Sequence, residues 1–416
     1  MTDTLITQPW LRAKETQAVM AALQAAGGRD AARFVGGCVR NALIGRLVED
    51  IDIATPLTPD QVTAAAKAAG LKPVPTGYDH GTITVVSGGK PFEVTTLRRD
   101  VETDGRHAVV AFTADWSQDA QRRDFRLNAL YADAEGRIFD PTGHGVADAR
   151  AGRIVFVGEA DQRIAEDALR ILRFFRFQAW YGKGAPDPEG LAACERMKAG
   201  LAHLSAERIA KEMLKLLAAD DPRPALRLMA ATGVLGAVLP QAVGLERFDA
   251  LVEIETGQLF QCDPLLRLAA LLPDDPAVAA QTAGALRLSN AQRDRLVAAL
   301  GDDVRMVSWM SPREARRAVY RLGAQAFCDR ALLAWAASMR PAATIQWRAL
   351  LPMAQTWPRP VFPLTGEEIL AAGVPKGPLV GAVMREVENW WIDQDFTEDK
   401  LSLVEQLKAV AQGMAY

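Results

Sequence analysis

The stretch FVGGCVRNALIGRLVEDIDIAT, Phe34 to Thr55, changes character three times in one short passage. Phe34 and Val35 read as the end of a strand, Gly36-Gly37 as a turn, Cys38 to Gly45 as the first turns of a helix, and EDIDIA as a second strand. Glycines there let backbone N–H groups approach an oxyanion closely, and the helix start adds partial positive charge that Arg40 reinforces. On its own the pair fits either a tight turn or a phosphate cradle. Side chains alternate along a strand, so Asp50 and Asp52 fall on one face and Ile51 and Ile53 on the other. Two carboxylates about 4 Å apart repel by roughly 4 kcal/mol at an effective dielectric near 20. Either water absorbs that repulsion at a solvated strand end, or an oxygen-ligated cation such as Mg²⁺ does.

A third acid stands in PFEVTTLRR, where Phe92 and Val94 point one way and Glu93 the other. Three carboxylates on adjacent strands beside a glycine turn outline metal-assisted phosphoryl or nucleotidyl transfer. In that chemistry two metals activate an attacking hydroxyl and stabilise leaving pyrophosphate.

The rest of the chain sets the limits. It has 416 residues, 49% apolar and 24% charged, enough for two to four domains with a sizeable core. No apolar run reaches the ~18 to 20 residues of a membrane span. MTDTLITQPWLRAKE shows no basic region followed by an apolar stretch, and Cys38, Cys194, Cys262 and Cys328 stand far apart without a CxxC or Cys/His grouping. The expectation is a cytoplasmic protein without structural zinc or disulfides. With a formal net charge of −3, any polyanion must be held by local basic patches. Up to about residue 155, β-rich runs (GTITVVSG, FEVTTLR, HAVVAFTA, RLNALYAD, GRIVFVG) alternate with helical patterns; beyond about 160, apolar stripes at helical spacing dominate. The reading is α+β, followed by an all-helical remainder. Ser205 and Ser289 mark helix starts, Ser289 with a glutamine three residues on.

Several ordered motifs now carry a family resemblance. GGCVRN (Gly36 to Asn41), Asp50-Ile51-Asp52, Glu93, RRDFRLNA (Arg122 to Ala129), EDALRILR (Glu166 to Arg173) and the later Glu207, Arg208 and Glu212 follow one another in the chain. They resemble, in order, the motifs of the polymerase-β-type nucleotidyltransferases, and among these the class II CCA-adding tRNA nucleotidyltransferases and their bacterial poly(A) polymerase relatives. The resemblance is strong over the first 215 or so residues. It implies a nucleotidyltransferase head with a mixed sheet over 1–155, a helical neck over 156–217 and a helical body and tail over 218–416. It implies that Asp50, Asp52 and Glu93 hold two Mg²⁺ ions, and that Gly36, Gly37, Arg40 and Arg173 meet the triphosphate of CTP or ATP. Arg123, Asp124 and Asn128 are placed around the nucleotide, with the aspartate on the ribose, while Asp167 and Arg170 read the base. Asn41 departs from the family's Asp, and Arg126-Leu127 from its Thr-Ile. The segment between Glu93 and the RRD motif, Val101 to Arg106 included, corresponds to a flexible loop in the switch from adding C to adding A.

The base-reading assignment has a physical basis. A continuous helix over residues 164 to 177 puts Asp167, Arg170, Arg173 and Arg176 in one polar stripe opposite Ile164, Ala168, Ile171, Leu172 and Phe175. Cytosine and adenine share an amino donor beside a ring-nitrogen acceptor, which a carboxylate and a guanidinium complement; guanine and uracil present the reverse. An ordinary surface ion pair at i,i+3 is the other reading of Asp167 and Arg170.

Further on, SPREARRAVYRLG sets Arg313, Arg316, Arg317 and Arg321 along one helix, as a rail for RNA phosphates or as a solvated face. GVPKGPLVG, with Lys376, reads as a helix cap, and Trp390-Trp391 as core. The expected activity is CCA addition to tRNA from CTP and ATP by a monomer or homodimer without membrane contact. Poly(A) polymerase is the alternative, with CC-only or A-only addition beside it.

Overall fold

The glycine turn of the opening stretch falls between β1 (Arg33–Val35) and α2 (Gly37–Leu43), with Gly36 at φ +71° making the reversal that a residue with a Cβ adopts only at a cost. A computed structural model describes residues 4–104, 107–338, 343–397 and 399–413. It comprises two units, residues 1–240 and 241–416.

In the first unit β1, β2 (Asp52–Thr55), β3 (Lys72–Gly77), β4 (Thr82–Ser87), β5 (Lys90–Thr96), β8 (Tyr131–Ala132) and β9 (Ile138–Phe139) form a mixed sheet in the order β3-β4-β5-β2-β1-β8-β9. β2 and β5 run parallel; the other neighbours are antiparallel. α1 (Lys14–Gly27) and α3 (Pro59–Ala68) pack on each other and on β4. α3 starts at a capping box in which Thr58 and Gln61 exchange hydrogen bonds. β6 (Arg98–Asp104) and β7 (His107–Phe112) make a separate hairpin, and Gly105 and Arg106 of the segment linked to the C-to-A switch lie outside the described residues.

Two expected strands come out differently. RLNALYAD contracts to the two residues of β8 after a 3₁₀ turn at Arg126–Asn128. GRIVFVG is not a strand, and keeps a single bridge, Phe125 to Phe156. Its apolar side chains are buried instead in an aromatic cluster, with Phe156 stacked on Phe174 at 5.7 Å and tilted on Phe125 at 4.9 Å. An apolar run too short to show a period fits both outcomes.

From there the chain is helical: α4 (Trp116–Gln121) and α5 (Gly145–Ala151) precede α6 (Ala160–Glu166), α7 (Leu169–Tyr181), α8 (Pro188–Met197), α9 (Ala206–Leu217), α10 (Arg223–Ala231) and α11 (Val234–Val238). α7 packs on α9 and α10. Ser205 occupies the cap position of α9 without a side-chain hydrogen bond.

The second unit is built from α12 (Glu246–Gly257), α13 (Pro264–Ala270), α14 (Pro276–Ala285), α15 (Asn290–Ala299), α16 (Pro312–Leu322), α17 (Ala324–Ser338), α18 (Thr344–Thr356), α19 (Gly366–Ala371), α20 (Pro378–Asp393) and α21 (Lys400–Gly413). Ser289 and Gln292 form the expected capping box of α15, and Gly377 caps α20 ahead of Pro378. Trp391 is buried in the core of this unit and Trp390 packs partly buried against it. No helix among the described residues is long and apolar enough to cross a membrane.

The 3₁₀ turn that carries Arg126–Asn128 is pressed from outside by α5. A Cβ on Gly145 would lie 2.4 Å from the backbone oxygen of Arg126, a group that cannot swing aside. Gly145→Ala is expected to lower unfolding stability by about 1–3 kcal/mol in denaturant titration; an unchanged midpoint contradicts the packing described.

Candidate active site

Ile53 and Val94 are fully buried neighbours on β2 and β5, and the demand that both face the core sets the register of the pair. That register puts Asp52 directly opposite Glu93. Burial pushes the Asp52 carboxyl up to about 6; the charge of Glu93 adds to this, Arg123 opposes it, and Asp50 adds a little more.

Asp50 is a correction. It does not alternate with Ile51 along a strand, because β2 begins only at Asp52, where its pairing with β5 begins. Asp50 lies exposed in the preceding segment. Among the described residues no group of three His, Cys, Asp or Glu side chains could hold a metal ion. What is brought together is Asp52 and Glu93, two hard-oxygen donors in register, one of them desolvated and short of positive charge, and that donor set fits a hard divalent cation.

The basic motif residues are largely engaged with the protein itself. Arg40 is buried and gives its guanidinium to the side-chain oxygens of Asn128 and Asn41 and, at 2.7 Å, to the Tyr181 hydroxyl, with the Tyr181 ring 4.0 Å from its centre. Each of its three nitrogens already has a protein partner, which a phosphate would have to share. Asn41 works here as a neutral acceptor for Arg40 at 3.1 and 2.9 Å. Asp124 is 8% exposed and accepts from Arg173, from Asn128 Nδ2 at 3.0 Å and from its neighbour's backbone at 2.8 Å. Burial alone would raise its carboxyl, but the charge of Arg173 and these hydrogen bonds hold it at about 2. The residues assigned to ribose and triphosphate therefore hold each other.

The base-reading pair needs the second correction. The helix over 164–177 is broken at Asp167, whose extended backbone (φ −155°, ψ 104°) separates α6 from α7. Asp167, at the end of α6, accepts the Leu169 N–H at the start of α7 at 3.1 Å and accepts from Arg208 of α9 at 2.6 Å. Arg170 turns to Glu166 at 2.5 Å and to the carbonyls of Arg163 and Arg122. Arg176 leaves the expected stripe for Glu212, at 2.5 Å. Asp167 and Arg170 form no ion pair with one another because the break removes the i,i+3 geometry.

Gly36 and Gly37 stand at the turn as expected, and Arg123 approaches it: its Nη1 lies 3.5 Å from where a Cβ on Gly36 would be. Sequence reasoning missed Asp119, Tyr131 and Tyr181. Asp119 was within reach, since its i,i+3 and i,i+4 spacing to Arg122 and Arg123 pairs them at 2.7 and 3.0 Å. Tyr181 meets Arg40 across a long sequence separation, which no local pattern shows. In the second unit Arg317 is paired with Asp393, the last residue of α20, and Arg316 with Asp395 just after it; Arg313 and Arg321 are exposed.

With this geometry in place, the comparisons decide the family. Residues 32–155 match the poly A polymerase head domain, and residues 185–244 a probable RNA- and SrmB-binding site of polymerase A. The human mitochondrial CCA tRNA nucleotidyltransferase 1 is 34% identical over 397 residues, covering 90% of this chain and 86% of that protein. The chain belongs to the CCA tRNA nucleotidyltransferase family. The Geobacillus stearothermophilus CCA-adding enzyme of this family is 42% identical over 219 residues, about half of each chain (52% and 52%). Among solved structures, the Bacillus stearothermophilus CCA-adding enzyme in complex with CTP superposes with a TM-score of 0.79 at 27% identity, over 98% of this chain and 99% of that one. The Thermotoga maritima CCA-adding enzyme, at 19% identity and a TM-score of 0.66, shares the fold.

Two carboxyls of this family member respond to pH in opposite senses. Asp124, held at about 2 in the folded state, contributes stability above its unfolded value near 4 that is lost as pH falls from about 4 to 2. Asp52, raised to about 6, costs stability as pH rises through about 4 to 6. In metal-free buffer at pH 7.5, Asp124→Asn is expected to destabilise by about 2 kcal/mol and Asp52→Asn to stabilise by about 1–2 kcal/mol, both differences shrinking toward low pH. Denaturant unfolding across that range checks it, and same-sign effects contradict the assignment.

Proposed function

We propose that this chain is a template-independent nucleotidyltransferase that completes the CCA end of tRNA from CTP and ATP with release of pyrophosphate. The observation that carries the reading is Asp52 opposite Glu93 on parallel strands, with Arg123 and the Gly36-Gly37 turn beside them. The names of the relatives supply the substrates: CCA tRNA nucleotidyltransferase for the human protein, and complexes with CTP, ATP and tRNA among the related structures.

Asp52 and Glu93, with Asp50 at the strand entrance, are the residues that would hold Mg²⁺. A divalent cation bound there supplies positive charge at the reacting phosphate and lowers the pKa of the attacking 3′-hydroxyl. The turn offers backbone N–H groups to the triphosphate and Arg123 a guanidinium edge. A base edge must displace Arg208 from Asp167 and Glu166 from Arg170, while Asp167 keeps the Leu169 N–H and Arg170 the carbonyls of Arg163 and Arg122. A cytosine or adenine edge replaces both hydrogen bonds in kind, whereas uracil or guanine leaves them unmatched, and that difference is the proposed basis of choice. Arg173 holds Asp124 through Nε and Nη2 and offers Nη1 to the triphosphate.

The functional division into head (1–155), neck (156–217) and body with tail (218–416) accompanies this reading, with the exposed Arg313 and Arg321 as RNA phosphate contacts. A cytoplasmic location is part of this reading, while the names of the mouse and human relatives include the word mitochondrial.

Purified protein given tRNA lacking its terminus is expected to incorporate C, C and A in order with both nucleotides, and to stop after CC with CTP alone. Long A tracts on generic RNA would support poly(A) synthesis instead. Asp52→Ala is expected to reduce transfer by at least about 10³-fold with tRNA binding intact; retained turnover contradicts the metal assignment.

A further inference from the structure

The guanidinium of Arg123 is held along one edge and leaves the opposite nitrogen unspent. Asp119 Oδ2 takes Nε and Nη2 at 3.3 and 3.0 Å, and the Tyr131 hydroxyl lies 3.2 Å from Nε. Nη1 has no hydrogen-bond partner among the described residues and is the nitrogen that faces Gly36.

Asp119 is itself held firmly. It sits on α4 with 1% exposure, receives the Arg98 N–H at 3.3 Å and Arg122 Nε at 2.8 Å on one oxygen, and receives the Tyr131 hydroxyl at 2.7 Å on the other. Tyr131 is fully buried on β8, in register with Val35, the residue before the glycine turn. A carboxylate with its lone pairs filled in this way rotates little, and it fixes the plane of the guanidinium it binds side-on. Burial alone would raise its carboxyl, but the charges of Arg123 and Arg122 and the Tyr131 hydroxyl hold it at about 2, so it stays ionised at any working pH.

We propose that Asp119 is a positioning residue whose carboxylate, braced by Tyr131, aims Nη1 of Arg123 at the triphosphate tail seated on the Gly36-Gly37 turn. The proposal rests on reading that turn as the site of the triphosphate.

Equilibrium binding of CTP and of CMP to the full chain tests it, with wild type, Asp119→Asn, Arg123→Ala and the double variant. Wild type is expected to prefer CTP. Each single variant is expected to lose about 10-fold or more in affinity for CTP while CMP binding stays within about 2-fold. The double variant is expected to bind CTP no more weakly than Arg123→Ala, because both substitutions remove one coupled interaction. A merely structural Asp119 would weaken CTP and CMP alike, or add to Arg123→Ala, and either result overturns the proposal. Should Asp119→Asn fail to fold, Tyr131→Phe removes the brace alone; a smaller loss confined to CTP supports the proposal, and an unaltered CTP preference overturns it. A wild-type protein that binds CTP no better than CMP overturns the reading of the turn, and the proposal with it.

Discussion

Two carboxylates face each other across a parallel strand pair, and the site is organised around that unfavourable arrangement. The register of β2 on β5 is set by core residues, Ile53 and Val94, which leave Asp52 and Glu93 no freedom to move apart. Partial burial then raises the cost of charging Asp52. Proteins tolerate such pairs where a cation repays the repulsion during function. Arg123 is close enough to offset part of the charge, but it is tethered to Asp119 and cannot cancel it.

Around this pair the arginine-rich motifs are arranged by a simple rule: each guanidinium has an acidic or amide partner inside the protein. Arg173 has Asp124, Arg176 has Glu212, Arg170 has Glu166, Arg122 has Asp119 and Arg40 has the amides of Asn128 and Asn41. The pairing lets closely spaced like charges coexist and holds them in fixed geometries. It also makes nucleotide binding an exchange, in which phosphate or base edges compete with internal partners. Selectivity follows from which ligands return every bond they displace.

Much of this was legible in the sequence where a local period or turn decided it. The strand, glycine turn and helix of Phe34 to Leu43 follow from Gly36 and the apolar residues around it, and Phe92-Glu93-Val94 from strand alternation. Glycine and serine at helix starts located the caps of α15 and α20. What could not be read depended on partners distant in sequence. Strand alternation extended one turn too far at Asp50 because the ladder partners of β2 begin only at Asp52. The polar stripe from Asp167 to Arg176 assumed an unbroken helix, whereas Asp167 takes extended backbone between α6 and α7 and its short carboxylate accepts the Leu169 N–H. Arg316 and Arg317 looked free until the end of α20 brought Asp393 and Asp395 beside them.

The central claim, that Asp52 and Glu93 together form the cation-binding edge, is most directly tested by following carboxyl carbon resonances while Mn²⁺ is added to the isolated protein. The account predicts that Asp52, titrating near 6 without metal, and Glu93 broaden first and together, while the internally paired Asp119 and Asp124 stay sharp until far higher metal concentration. Broadening that spares Asp52 and Glu93, or that begins at another carboxylate, would contradict it.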